Sequence, residues 1–175
     1  MKTKMNVALL SVGLLIGSVS VANAADGTVT FKGSVHSGAC SIKPDSVDQT
    51  IQLGAIAKHQ LQNGGQSEAR RVLIELEGCD LTGLADNTVT TTFTGAPSSV
   101  VTGAIGTVGS AGNVGIMMTH GSKLIELGVA TTPQAIAVGD NTLEFGAYVK
   151  GAPVATGDVT PGDFSAVTNF TLAYQ

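Results

Sequence analysis

Apolar residues return at every second position along almost the whole of this chain. Val29, Phe31 and Val35 alternate with Thr30, Lys32 and Ser34; Val47, Ile51 and Leu53 keep one parity; Val72, Ile74 and Leu76 alternate with Arg71, Leu73 and Glu75. Leu143, Phe145, Ala147 and Val149 repeat the pattern, as do Phe170, Leu172 and Tyr174 at the carboxyl end. Successive side chains of an extended strand point to opposite faces, so a period of two buries one face and wets the other, which a helix cannot do. Each run is a predicted half-buried strand, and only Ile56 to Gln62 leaves room for a helical turn.

Turn signals separate the runs: Asn63-Gly64-Gly65, Asp86-Asn87, Gly95-Ala96-Pro97, Gly121-Ser122, Gly139-Asp140-Asn141, Gly151-Ala152-Pro153 and Pro161-Gly162-Asp163. Twenty threonines add β-branched side chains that suit a pleated surface. Seven or more short strands with this punctuation predict an all-β fold, an immunoglobulin-like β-sandwich. No repeat, charge run or second-domain boundary interrupts it.

The amino terminus is read separately. Lys2 and Lys4, the apolar stretch Val7 to Ile16 and the Ala22-Asn23-Ala24 cleavage site form a secretory signal pattern over residues 1–24. That apolar stretch is too short to span about 30 Å of hydrocarbon. Cleavage leaves 151 residues starting at Ala25, and loss of two of the nine basic residues leaves seven against thirteen acids, a net charge of about -6. Cys40 and Cys79 both survive, and two thiols in an oxidising compartment pair as a disulfide. A metal or redox site is the competing reading, weakened by the absence of C-x-x-C and by having only His36, His59 and His120 to supply nitrogen ligands.

Composition excludes further classes. Charged residues make up 13% of the chain, about half the usual share, and the net charge of -4 does not suit phosphate neutralisation, so no nucleic-acid partner is expected. A mean hydropathy of +0.29 does not fit charged disorder. Neither a nucleophile elbow, a zincin helix motif, a P-loop nor a dinucleotide fingerprint is present, and Glu75 with Glu77 suits a solvated strand face. No catalytic residue and no cofactor are expected. Tyr148 and Tyr174 are the only tyrosines and tryptophan is absent, which counts against sugar stacking and against the aromatic girdles of an outer-membrane barrel.

Residues 25–37 carry a strand pattern but no hairpin partner. They are either the sandwich's own first strand or a strand for another molecule. This stretch, "ADGTVTFKGSVHSGAC" from Ala25 to Cys40, resembles the amino-terminal extension and first cysteine of chaperone-usher pilins, the type 1 fimbrial subunits. The end, "TPGDFSAVTNFTLAYQ" from Thr160 to Gln175, resembles their carboxy-terminal motif, with Tyr174 penultimate and Gly162 fourteenth from the end. "NVGIMM" from Asn113 and "NTLEFGAYV" from Asn141 resemble the family's later strands.

The resemblance implies an incomplete immunoglobulin-like sandwich that lacks its last strand, preceded by a donor-strand extension. It divides the chain into a signal peptide (1–24), an extension (25–37) and a pilin domain (38–175). A periplasmic chaperone would first lend a strand, and the extension of another subunit would replace it at an outer-membrane usher, which is β-strand addition. Carried over by position, Val29, Phe31 and Val35 are the donated side chains, with Gly33 at the family's glycine. Phe170, Leu172 and Tyr174 lie on the groove-edge strand, Gly162 precedes it, and Gln175 bears the carboxylate that the chaperone grips. The implied function is a structural subunit of a cell-surface fimbria, exported through the periplasm and partnered by copies of itself or related pilins. Two alternatives are a minor adaptor or tip subunit of the same fibre and, more remotely, a secreted β-sandwich metalloenzyme.

Overall fold

The computed structural model describes residues 27–175, so the predicted signal peptide and cleavage site lie outside the described residues. The chain divides into two units, residues 1–35 and 36–175. Of the first unit, Gly27 to Val35 has no regular secondary structure, and Val29, Phe31 and Val35 are exposed.

Residues 36–175 contain eleven strands among the described residues. They are β1 (Ser41–Ile42), β2 (Arg70–Cys79), β3 (Thr88–Gly95), β4 (Ile105–Gly106), β5 (Val108–Gly109) and β6 (Val114–His120), followed by β7 (Lys123–Leu124), β8 (Gln134–Ala135), β9 (Gly139–Gly151), β10 (Phe164–Ser165) and β11 (Thr168–Tyr174). One sheet has the order β1-β2-β9-β6-β4, with β7 on β6; the other has the order β11-β3-β8; β5 and β10 form a separate two-stranded ribbon. All named pairings are antiparallel.

The two-residue period does what alternation requires. Val72, Ile74 and Leu76 of β2 and Leu143, Phe145, Ala147 and Val149 of β9 are buried, and they share one core with Val89 and Phe93 of β3 from the other sheet. The sheets meet where Phe93 stands edge-on to Phe145, ring centroids 5.0 Å apart, an arrangement aromatic quadrupoles favour. Between Val89 and Phe93 lies Thr91, which is fully buried, yet its hydroxyl finds no hydrogen-bond partner. Thr91→Val keeps the shape and removes an unmet polar group, so thermal or urea unfolding should show a gain of about 1 kcal/mol. A loss would mean that the hydroxyl is satisfied in solution.

Cys40 and Cys79 form a disulfide that ties the chain ahead of β1 to the end of β2. A smaller apolar cluster on the opposite side of β6 and β9 places Met117 and Tyr148 under a loop that contributes Val101 and Ala104. A Cβ at Gly115 would lie 2.8 Å from the Ala104 Cβ, so this glycine lets the loop reach the sheet.

Several segments depart from the two-residue reading. Pro44–Val47 is a helical turn, α1, rather than strand. Proline at its start sets φ for helix, and the Ser46 hydroxyl accepts from the Glu75 N–H at 2.9 Å, locking the turn against β2. Residues 48–57 belong to no named strand. Their apolar residues do pack on the core, but no neighbouring strand completes a ladder with them. A second helical turn, α2 (Lys58–Leu61), falls in the predicted window, and Val154–Thr156 adds a single 3-10 turn that alternation gave no sign of. Gly139-Asp140-Asn141 opens β9 instead of forming a turn; the Asn141 side chain accepts from the Ala137 N–H and donates to the Ala137 carbonyl, holding the bend at Val138 just ahead of the strand.

Candidate functional site: an open apolar groove

A groove of about 1120 Å³ runs into the sandwich core between two chain segments. Ile51, Leu53 and Ile56 line one wall, Phe164, Ala166 and Phe170 the other, and Ile74, Phe93, Ile116 and Met118 lie at its floor. A close-packed interior has few voids larger than a water molecule. An opening of this size, floored by core residues, marks a sandwich with an element missing.

The sequence explains why it stays open. Among the described residues β11 is an edge strand: β3 pairs with it from Thr168↔Gly95 to Tyr174↔Val89, and no described strand occupies its other side. Phe170, Leu172 and Tyr174 share one parity and point at the core, but each is only half-buried. The segment across the groove, residues 48–57, is equally without a strand partner. The two walls therefore present half-covered apolar side chains and unladdered backbone, the arrangement that edge-strand protection ordinarily prevents.

Each predicted site residue has a definite place. Gly162 lies at the groove rim, and the reason it is glycine is internal: a Cβ there would sit 2.5 Å from the Ala111 nitrogen and the Ser110 carbonyl carbon. The approach lets the Ser110 and Ala111 N–H groups donate to the Asp163 carbonyl at 2.9 and 3.0 Å, while the Asp163 N–H donates to Ser110 Oγ. These bonds, with the β5–β10 ribbon, hold the wall that carries Phe164. Gly162→Ala should destabilise the subunit by about 1–3 kcal/mol, the usual range for overpacking, and a melting curve matching wild type would refute this role.

Gln175 is pinned by two main-chain bonds, its N–H donating to the Thr88 carbonyl at 2.9 Å and its carbonyl accepting from the Thr88 N–H at 3.0 Å. The chain end is thereby held beside β3 rather than frayed. Tyr174 packs near Gly38, and burial pushes its phenol above the ordinary tyrosine value; the hydroxyl has no partner.

Val29 is 74% exposed, Phe31 is 91% exposed, and Val35 is fully exposed. Gly33 has no positive φ, and a Cβ there would meet nothing within 4 Å. The opposite wall carries no sequence signal of its own: the alternation of Ile51 and Leu53 predicts an ordinary strand, and Ile56 falls in the predicted helical turn. A strand and a wall awaiting a strand share the same alternation, so the pattern could not separate them.

The histidines do not gather. His36 Nδ1 accepts from the Gly38 N–H, and His120 Nδ1 pairs with the Thr132 hydroxyl. Among the described residues no cluster of three metal-ligating side chains occurs, and no helix is long and apolar enough to cross a membrane.

Comparison with known proteins agrees with this geometry. The family model described as "Fimbrial protein" matches residues 29–175. The chain is 46% identical to the fimbria A protein of Serratia marcescens, covering 98% of this chain and 99% of that protein. It is 40% identical to the major MR/P fimbria protein of Proteus mirabilis, covering 95% and 94%. Among solved structures it resembles the P pilus rod subunit PapA at a TM-score of 0.71 and 32% identity, over 79% of this chain and all of that one. It also resembles a chaperone-usher pilus subunit at a TM-score of 0.76 and 32% identity, over 90% of this chain. The open sandwich, its disulfide and these matches agree: the chain belongs to the fimbrial protein family, as a chaperone-usher pilin that serves as a structural subunit of a surface fimbria.

Proposed function

We propose that the groove is completed by residues 25–37 of another copy or of a related pilin, and that this exchange is the polymerising step. The observation that carries the reading is the match between two unmet needs. One unit leaves an apolar groove with an unpaired edge at β11; the other carries Val29, Phe31 and Val35 on one parity, exposed to water. An extended segment laid beside β11 satisfies both, since main-chain bonds give affinity and alternate side chains fill the pockets.

Gly33 fits the same reading. Neither its backbone conformation nor any contact within the chain calls for glycine, whereas a strand entering a shallow stretch of groove needs a position without a side chain. Residues 38–175 then form the pilin domain and residues 1–24 the export signal. Before polymerisation a periplasmic chaperone covers β11 and grips the Gln175 carboxylate, and an outer-membrane usher hosts the exchange. The protein has no catalytic role; it builds the fibre.

The test is the behaviour of fibres in detergent. Strand exchange predicts a ladder of multimers that survives detergent at room temperature and collapses to monomer on boiling, because each joint is a folded but non-covalent sandwich. Phe31→Asp should remove the ladder, since the substitution forfeits about 1.5–3 kcal/mol of apolar burial and puts a charge in the groove. An undiminished ladder from the Phe31→Asp chain would refute the donor assignment.

A further inference from the structure

Residues 36–39 stand between two fixed points. Cys40 is buried and disulfide-bonded to Cys79, and on the groove reading above Val35 lies in the sandwich of another copy. Four residues therefore span the joint between successive subunits, and even a fully extended chain reaches only about 17 Å from the Val35 Cα to the Cys40 Cα. So short a joint leaves the two sandwiches few relative positions, and a turn within it narrows them further.

Such a turn is present. The Gly38 N–H donates to His36 Nδ1 at 3.1 Å, a side-chain acceptor two residues ahead of its donor, which is the pattern by which asparagine and aspartate build Asx turns. An accepting Nδ1 puts the ring proton on Nε2. Gly38 in turn lies against β11: a Cβ there would sit 3.0 Å from His36 Nδ1 and 3.1 Å from Tyr174 Cε2. The next carbonyl, that of Ala39, accepts from the Asp80 N–H at 2.9 Å. The turn is thus clamped between the carboxyl end of β11 and the disulfide. His36 itself is exposed and belongs to neither apolar cluster, so core packing does not account for an imidazole at this position.

We propose that His36 is a positioning residue for strand exchange: its ring holds the root of the extension in a turn beside Tyr174, so that residues 25–35 are offered to another copy from a fixed point. The proposal rests on the groove reading and concerns the donor's side of it. A root already ordered before docking loses less freedom when the strand is taken up, and preorganisation of this kind favours association. Without the bond the chain leaves the domain in more directions, and fewer encounters put Val29, Phe31 and Val35 where a groove can take them. The groove itself is untouched, because His36 is not among the residues that line it.

The test separates donating from accepting. In purified chaperone–subunit complexes, His36→Ala should polymerise about fivefold more slowly than wild type, as loss of one ordinary hydrogen bond allows, while its groove takes up a synthetic peptide of residues 25–35 at the wild-type rate. His36→Asn should restore polymerisation, since the amide oxygen can accept from the Gly38 N–H in the same turn. Wild-type polymerisation by His36→Ala, an equal slowing of its peptide uptake, or no recovery with His36→Asn would each overturn the inference. Failure of the wild-type subunit to take up the peptide would instead refute the groove reading, so the two failures are distinguishable.

Discussion

Deleting Ala25 to Val35 is expected to abolish incorporation into fibres while leaving a folded, chaperone-competent subunit. The fold survives because every buried member of the main core comes from Cys40 onward, and Gly27 to Val35 contributes no secondary structure. Polymerisation fails because the deleted segment carries all three exposed apolar side chains proposed to fill the groove. Burying such side chains is worth about 1.5–3 kcal/mol each, and no other described segment offers a free strand of the same alternation. The check compares subunit yield in the periplasm with subunit recovered in sheared fibres. Wild-type recovery in fibres would refute the donor role, and loss of periplasmic subunit would show that the segment serves folding instead. Gly33→Val should give a graded form of the same defect, slowing exchange in purified chaperone complexes without changing the subunit's stability.

Replacing Cys40 and Cys79 by serine should cost about 4 kcal/mol, the chain entropy that closing a loop of 39 residues removes from the unfolded state. Both residues are almost fully buried, so the serine hydroxyls add a desolvation penalty in the same direction. For a domain of this size the loss corresponds to a fall in melting temperature of roughly 8–16 °C. The open groove makes the effect severe, because an incomplete sandwich has less buried apolar surface to offset it. Calorimetry of the double variant measures it, and a shift of only a degree or two would show that the disulfide is incidental to stability.

Much of this architecture was legible because alternation is a local signal. Val72, Ile74 and Leu76, and Leu143 to Val149, lie on the buried faces of β2 and β9, where their parity put them. Pro44–Val47 was not legible as helix because the deciding interaction is long-range, the Ser46 hydroxyl meeting the Glu75 N–H. The site was legible from one side only. The carboxyl-end residues Phe170, Leu172 and Tyr174 stood out by position, whereas Ile51, Leu53 and Ile56 read as ordinary secondary structure. A missing neighbour leaves no trace in the strand that lacks it; it appears only when the ladder is seen to stop at β11. Gly162 shows the reverse case: a position recognised through the family has its physical cause in Ser110 and Ala111, distant in sequence.

The central claim, that a neighbour's extension completes each sandwich, is tested most directly by amide hydrogen exchange of residues 28–35 in assembled fibres. Segments without secondary structure exchange near the rate of an unfolded chain, whereas strands in a folded core exchange only through costly opening. The account predicts that alternate amides of this segment, fast in the monomeric subunit, slow by at least about a hundredfold in the fibre, as an opening cost near 3 kcal/mol requires. Exchange in the fibre as rapid as in the monomer would contradict it.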